Sequence, residues 1–74
     1  MSTDLAIRLD RTEGALVRLL GLAERRGYPP TRVSAIPVDT TTMLVQLTVC
    51  SDRPPEQLML QLSKLYDVKH VEKK

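Results

Sequence analysis

Several residue types that support common kinds of site are rare or absent in this chain of 74 residues. Cys50 is the only cysteine, which excludes an internal disulfide and a metal site built from cysteines alone. Phenylalanine and tryptophan are absent and there are two tyrosines, so the chain can hardly build an aromatic platform for single-stranded nucleic acid. No apolar run approaches the roughly 20 residues of a membrane-spanning helix. We therefore expect no nucleic acid and no membrane among its partners.

Charge and length set two further limits. Eleven lysines and arginines against nine acidic residues leave a net charge of +2, a field too weak to indicate nucleic acid by itself. No basic stretch followed by an apolar one is visible at the N-terminus, so we expect no secretory signal, and a single cysteine fits a reducing compartment. We expect one cytoplasmic domain over residues 1–74, with its core at about 4–72. A domain this small usually needs a second copy or a partner to complete its core.

A strand followed at once by a helix is the most informative local pattern. Apolar residues alternate in the strand, which predicts that it is half-buried. Thr12 then suits the N-cap of the helix, with Gly14 inside its first turn, and Gly27 supplies the C-terminal stop. The helix itself is indicated by apolar residues at helical spacing. The strand residues are Leu5, Ile7 and Leu9, and the helix residues are Leu16, Leu19, Leu20 and Ala23.

Two strands are predicted in the middle of the chain. Residues 32–38 alternate and include Pro37, which lacks a backbone donor and so places this strand at a sheet edge. Residues 39–42 form a polar turn. The segment 43–50 then carries the strongest strand pattern of the chain, with its alternating residues at Met43, Val45, Leu47 and Val49.

A second helix and a last strand complete the pattern. Ser51 and Asp52 are candidate caps of this helix, which has prolines in its first turn. The last strand is predicted for residues 67–72, where two valines three positions apart indicate a bulge. Lys73-Lys74 is expected to be a solvated tail. The helix stripe consists of Leu58, Leu62 and Leu65, and the valines are Val68 and Val71.

The order β-α-β-β-α-β defines the expected fold. With right-handed crossovers it gives an α+β domain of the ferredoxin-like type, a four-stranded antiparallel sheet with both helices on one face. The other face lacks a helical cover, and two edge strands are open to pairing. We therefore expect a homodimer. Val17 and Leu60 are surplus apolar residues on the helices and are interface candidates.

The junction of the first strand and helix is the candidate binding site. The start of a helix presents unpaired backbone N–H groups, which suit a carboxylate or another anion. Gly14 either admits a ligand or partner chain there or only permits close packing of helix on sheet. Arg8 and Arg11 either contact an acidic group or stay solvated. Arg25-Arg26 either form a docking patch or only complement the helix dipole.

No catalytic site is indicated. Cys50 would need a positioned base, and the only histidine is His70. The order of elements does not separate the two residues, so geometry leaves a dyad open at this stage. A third, orienting group and an oxyanion loop are not visible, and the pair is too small for a metal site. We expect both residues to be structural or exposed.

Two stretches carry a family resemblance, LDRTEGALVRLLGLAERRGY near the N-terminus and LSKLYDVKHV near the end. Over about residues 5–71 the chain resembles the ACT-domain small subunits of acetohydroxyacid synthase (acetolactate synthase). It ends after the last strand, and in this it is similar to the short, valine-insensitive isozyme II type. The matching positions are Gly14-Ala15-Leu16, Arg18, Gly21-Leu22, Arg26-Gly27-Tyr28 and Gln61-Leu62-Lys64-Leu65-Asp67-Val68-Val71.

The resemblance implies a regulatory subunit that is not itself an enzyme. Its large partner would use thiamine diphosphate, magnesium and usually FAD to join pyruvate to a second 2-oxo acid in valine, leucine and isoleucine biosynthesis. This chain would bind none of these cofactors. Its role would be to activate and stabilise the large, catalytic subunit.

The resemblance also implies where an effector would bind. In valine-sensitive members it lies between two ACT domains, at the strand-to-helix turn of one and the start of the second strand of the other, and asparagines are typical at both places. This sequence has Arg11 and Pro29 there, which removes two groups that donate and accept hydrogen bonds. Valine feedback is therefore not expected. The candidate effector-binding residues are Arg11, Thr12, Gly14, Ala15, Pro29 and Pro30.

Two other functions are compatible with the same fold. A free-standing ACT sensor would bind a branched-chain amino acid at a dimer interface and regulate another protein. A ferredoxin-like RNA-binding or metal-carrying module would need stacking aromatics on the sheet or a CxxC loop, and the chain has neither.

Overall fold

A computed structural model describes all residues from Met1 to Lys74. Its four strands form one antiparallel sheet in the order β2-β3-β1-β4, and the two helices pack on one face. The predicted βαββαβ order and the ferredoxin-like fold are thereby confirmed. The elements are β1 (Ser2–Asp10), α1 (Ala15–Arg25), β2 (Pro30–Pro37), β3 (Thr42–Cys50), α2 (Pro55–Ser63) and β4 (Val68–Lys73).

The core forms where the two central strands meet the helices. Leu5 lies opposite Leu47 and Ile7 lies opposite Val45, so the apolar residues of β1 and β3 point to the same face. Because side chains alternate along a strand, this face is almost entirely apolar. The helices complete the core with Leu19, Leu22, Ala23, Leu58 and Leu62, all of them buried.

The starts of both helices differ from the sequence-based expectation. Thr12 is not the N-cap of α1, because the cap position is Gly14 and no side chain caps the helix. The hydroxyl of Thr12 instead donates to Asp67 Oδ1 at 2.8 Å. Ser51 and Asp52 do not cap α2, whose cap position is Pro54. The Ser51 hydroxyl accepts the N–H of Arg53 at 3.1 Å, so it stabilises the turn before the helix.

The end of α1 agrees with the expectation. Gly27 has a φ of +88°, a left-handed conformation that glycine adopts without a steric penalty. The N–H of Tyr28 donates to Ala23 O at 2.9 Å and the N–H of Gly27 to Glu24 O at 3.1 Å. This pair of bonds is a Schellman motif, which satisfies the last carbonyls of the helix.

The two edge strands are β2 and β4. Pro37 lies in β2, so its predicted edge position is confirmed, although the strand spans 30–37 rather than 32–38. The predicted bulge in β4 is also confirmed, since Arg8 lies opposite His70 whereas Leu9 lies opposite Val68. Lys73 and Lys74 are exposed, as expected, but they do not form a free tail: Lys73 pairs with Leu5, and the N–H of Lys74 donates to Asp4 O, because β1 is long enough to bond them.

The uncovered face of the sheet is largely polar. The register places Asp4, Arg8, Ser34, Gln46 and Thr48 on it, and its apolar residues are Ala6, Ile36 and Leu44. Exposed apolar surface on the helices is clearer, with Val17 74% and Leu60 57% exposed. Neither helix of the chain is long and apolar enough to cross a membrane.

A pair of leucines on α2 tests this division between core and surface. Replacing the fully buried Leu58 by alanine should lower the free energy of unfolding by about 2–5 kcal/mol, because it leaves a cavity. Replacing the exposed Leu60 should change it by about 0.5 kcal/mol or less. Urea denaturation followed by circular dichroism measures both, and equal losses would contradict the assignment of α2 faces.

Candidate functional site

The candidate site centres on the β1–α1 loop, which comprises residues 11–14. This loop leaves the sheet next to the start of β3, where Asp10 pairs with Thr42, and next to the segment that enters β4. Asp67, the residue before β4, is buried with 5% of its surface exposed. Its backbone carbonyl accepts the N–H of Asp10 at 2.8 Å, which joins the end of β1 to the start of β4.

The carboxylate of Asp67 is fully used within the chain. Thr12 Oγ1 donates to Oδ1 at 2.8 Å, and Arg18 donates to Oδ2 from Nε at 3.0 Å and from Nη2 at 2.6 Å. The hydrogen bonds from Arg18, followed by that from Thr12, hold the pKa of Asp67 below its ordinary value because they favour the ionised form. The loop, α1 and β4 are thus joined at one carboxylate.

Gly14 provides the conformation and the space that this arrangement needs. Its φ is +79°, a left-handed value that a residue with a Cβ adopts only at a steric penalty. A Cβ at this position would also lie 2.9 Å from Nη1 of Arg18. Gly14 therefore lies just before the helix rather than inside its first turn, and the space it leaves is occupied by the arginine that reaches Asp67.

Arg11 connects the β1–α1 loop to the turn between β2 and β3. Its N–H donates to Thr41 O and its Nη1 donates to Asp39 O, both at 2.8 Å. Asp39 folds that turn by accepting the N–H groups of Thr41 and Thr42, and these bonds, the one from Thr41 first, lower its pKa. Arg11 thus has a structural role that its position in the sequence did not reveal.

Backbone donors remain available at the start of α1. The N–H of Ala15 donates to Thr12 O, but those of Leu16 and Val17 find no acceptor within the chain. Half of the Arg18 side chain is exposed beside them. Free N–H groups at the positive end of a helix, next to a guanidinium, can hold a carboxylate by hydrogen bonds.

The six candidate effector-binding residues do not come together in one chain. Arg11, Thr12, Gly14 and Ala15 lie at the end of the sheet where Asp10 pairs with Thr42. Pro30 pairs with Val49, near the opposite end of β3. Thr42 and Val49 are seven positions apart along β3, a distance of about 23 Å. Ala15 is moreover buried and offers no side chain to a ligand.

The register also separates Cys50 from His70. Cys50 lies opposite Ser2, and His70 lies opposite Arg8, six positions further along β1. At the usual rise of a strand this is about 20 Å. A Cys–His dyad, which the order of elements had left open, is therefore incompatible with the fold.

Arg18 and Asp67 are the residues of this site to which sequence reasoning gave no role. They are 49 positions apart, so no local pattern links them. Both nevertheless belong to the positions that carry the family resemblance. The available signal was that two of the matching positions carry opposite charges, as an ion pair requires.

The comparisons with known proteins identify the class. The family model of the ACT domain matches residues 11–71, and the chain belongs to the ACT-domain family. The ACT domain of GTP pyrophosphokinase from Chlorobium tepidum has the same fold, with a TM-score of 0.83 and 14% identity over 100% of this chain and 97% of that one. The C-terminal domain of the MgtC protein from Mycobacterium tuberculosis has a TM-score of 0.70 and 15% identity, over 99% of this chain and 84% of that one.

In sequence the chain is similar to acetolactate synthase small subunits, as the resemblance predicted. It is 39% identical over 70 residues to the isozyme 3 small subunit of Escherichia coli (strain K12), which covers 90% of this chain and 42% of that protein. Identity to the small subunit of Buchnera aphidicola subsp. Schizaphis graminum is 35%, with coverage of 90% and 44%. The chain therefore spans less than half the length of these relatives.

The pH dependence of stability tests the role of Asp67. Since its pKa is lower in the folded chain, the ionised network stabilises the fold at neutral pH, and this stabilisation is lost as the pH falls below the ordinary value of 3.8. Asp67→Asn should be less stable at pH 7 and should lose less stability between pH 7 and pH 3. Urea midpoints at a series of pH values measure this difference.

Asp52→Asn is the matched control, because Asp52 is exposed and makes no side-chain hydrogen bond. Its midpoints should follow those of the unmodified chain at every pH. Parallel curves for Asp67→Asn and the unmodified chain would show that the network does not contribute to stability.

Proposed function

We propose that this chain is a non-catalytic regulatory subunit that activates and stabilises an acetolactate synthase catalytic subunit in branched-chain amino-acid biosynthesis. The identity to acetolactate synthase small subunits across 90% of the chain is the observation that carries this proposal. The site supports it, because its donors suit the binding of an anion or a partner and not a chemical step. Thiamine diphosphate, magnesium and FAD belong to the catalytic subunit in this proposal.

The active form is proposed to be a homodimer joined along β2. The N–H of Val38 donates to Thr42 O of β3, and backbone groups alternate in direction along a strand. The N–H groups of Val33 and Ala35 therefore point out of the sheet, toward the open edge. The backbone of Pro37 faces the same edge, but proline has no N–H group. The free N–H groups of Val33 and Ala35 thus lie between Pro30 and Pro37. So short an edge favours pairing with one second strand over extended aggregation.

A two-fold antiparallel pairing centred on Ser34 uses every one of these donors. It places Val33 opposite Ala35 of the second copy, and Ala35 opposite Val33, so that four backbone hydrogen bonds form. It also places Val38 opposite Pro30 of the second copy. Val38 adjoins Asp39, which Arg11 contacts. The two halves of the candidate effector site, separated within one chain, thus approach each other across the dimer.

The outer side of α1 extends this dimer surface. A shallow depression of about 380 Å³ lies beside the start of β2. Val17 is the most exposed apolar residue in it. Burying it against a second copy would complete a domain whose own core is small. The depression is lined by Val17, Leu20, Gly21, Glu24 and Pro30.

Valine is not expected to act as an effector of this dimer. The guanidinium of Arg11 is bonded to the β2–β3 turn, and it cannot accept a hydrogen bond from an ammonium group. Pro29 and Pro30 lack side-chain polar atoms and backbone donors as well. A carboxylate can still reach the N–H groups of Leu16 and Val17, whereas nothing among the candidate residues is suited to an α-amino group.

Reconstitution tests the regulatory function. Titrating the chain into the cognate catalytic subunit should raise its acetolactate-forming activity. At a free concentration of 100 Kd, binding alone should stabilise the catalytic subunit against unfolding by about 2.7 kcal/mol. Activity and thermal unfolding are the measurements, with an equal amount of serum albumin as the control.

No change in either quantity would contradict the proposal. Calorimetry of the isolated chain with valine, leucine and isoleucine should show no saturable binding. Tight binding of any of these amino acids without the catalytic subunit would instead indicate the free-standing sensor.

The proposed dimer makes a separate prediction about Ala35. Ala35→Pro removes two of the four intermolecular hydrogen bonds, one from each copy, and should weaken dimerisation about tenfold or more. Ala35→Thr keeps the N–H group and is the matched control. Sedimentation equilibrium measures both, and circular dichroism verifies that each variant is folded. An unchanged dissociation constant for folded Ala35→Pro would exclude pairing along this edge.

A further inference from the structure

A second groove lies on the helical face, between the end of α1 and the start of α2. Its volume is about 220 Å³, and no acidic side chain lines it. We call it the helix groove. Its lining residues are Arg26, Tyr28, Arg53, Gln57, Leu60 and Gln61.

Two arginines of the helix groove have no partner within the chain. The four ion pairs of the structure involve Arg18, Lys69, His70 and Lys73, so neither Arg26 nor Arg53 forms one. No hydrogen bond is formed by their side chains either, and both residues are exposed. Guanidinium groups bind carboxylates in bidentate fashion, so the groove is chemically complementary to an acidic surface.

One of these arginines, Arg53, packs against Gly27. A Cβ at Gly27 would lie 3.3 Å from Nε and 3.4 Å from Cζ of Arg53, so the guanidinium packs directly on the glycine. The floor below is rigid as well. Tyr28 is 2% exposed, and its hydroxyl donates to Pro54 O at 2.8 Å, which fixes the end of α1 to the start of α2. A guanidinium with restricted motion loses less entropy when it binds.

The groove also offers apolar and neutral polar contacts. Leu60 is 57% exposed on its rim. Gln57 and Gln61 present amides that donate and accept hydrogen bonds, as an incoming backbone requires. Arginine is among the residues enriched at the centres of protein interfaces.

The helix groove is separate from the proposed dimer surface. The two depressions share no lining residue. The β2 edge and the outer side of α1 are used in the dimer, whereas the groove opens between α1 and α2. It also lies at the opposite end of α1 from the candidate effector loop, about 16 Å along the 11-residue helix. Each copy in a dimer would therefore keep one open groove.

We propose that the helix groove docks an acidic segment of the acetolactate synthase catalytic subunit. Carboxylates of that segment bind Arg26 and Arg53, and an apolar side chain packs on Leu60. This inference rests on the proposed function, which supplies the identity of the partner. It adds the surface and the chemistry by which the partner is held.

Arginine variants test the docking surface. Arg26→Gln and Arg53→Gln, each in the full chain, should weaken binding to the cognate catalytic subunit about tenfold per residue, since each removes a charge-assisted hydrogen bond. Arg25→Gln is the control, because Arg25 is an exposed neighbour outside the groove. It should change the Kd by about twofold or less. Biolayer interferometry at low and high salt measures the Kd values.

The salt series adds a second signature. Raising the ionic strength should weaken binding of the unmodified chain more than binding of a chain that carries both Arg26→Gln and Arg53→Gln, because screening acts on the charges that were removed. Dimerisation of all variants should be unchanged, since the groove lies outside the β2 edge.

Three outcomes would overturn the inference, and they are distinguishable. If the unmodified chain binds and activates the catalytic subunit but the arginine variants bind equally well, docking uses another surface and the proposed function stands. If the unmodified chain does not bind the catalytic subunit, the proposed function is contradicted, and the inference that rests on it is contradicted with it. If inorganic phosphate or citrate binds the isolated chain tightly and binding depends on Arg26, the groove is a small-anion site and not a docking surface.

Discussion

The carboxylate of Asp67 is the interaction on which the functional end of the molecule depends. This carboxylate accepts hydrogen bonds from Thr12 in the β1–α1 loop and from Arg18 in α1. The backbone carbonyl of the same residue accepts the N–H of Asp10 at the end of β1. Without this carboxylate, the β1–α1 loop would be held by its ends and by the bonds of Arg11 to the β2–β3 turn, and Arg18 would lose its ion-pair partner. Since a buried carboxylate needs both hydrogen bonds and a counter-charge, these residues stabilise the fold as a unit. The helix start that presents Leu16 and Val17 to a ligand is positioned by this unit.

Glycine and arginine act together at three places in this small domain. A Cβ at Gly14, Gly21 or Gly27 would lie 2.9 to 3.4 Å from the guanidinium of Arg18, Arg25 or Arg53, respectively. Gly14, just before α1, and Gly27, just after it, also have a positive φ. A guanidinium lying on a glycine is held close to the backbone and remains planar and charged. Each of the three glycines therefore lies against the guanidinium of an arginine.

The sequence predicted those parts of the fold that follow from local periodicity. Alternation in β1 and β3, the helical stripe of α1 and the bulge near Val68 all reflect which side chains face the core, and burial dominates their placement. The N-cap of α1 could not be predicted, because the hydroxyl of Thr12 is engaged by a residue 55 positions away. For the same reason no role was predicted for Arg18 and Asp67, and Arg11 was predicted to contact an effector or an acidic group or to stay solvated, not to hold the β2–β3 turn. Long-range hydrogen bonds leave no periodic trace in a single sequence.

In the proposed dimer, the division of the candidate effector residues between the two ends of the sheet would link ligand binding to assembly. One chain presents the donors of Leu16 and Val17, and in the proposed pairing the second copy presents Pro30 beside the turn that Arg11 contacts. Any ligand that touches both would bind the dimer and not the monomer, so it would favour dimerisation by mass action. The reverse also holds, because contacts along β2 position Val38 and hence the turn bonded to Arg11. The helix groove is at the far end of α1, outside this surface. A catalytic partner held there would sense the dimer through a single rigid helix, whose start is fixed by Asp67 and whose end is fixed by Gly27 and Tyr28.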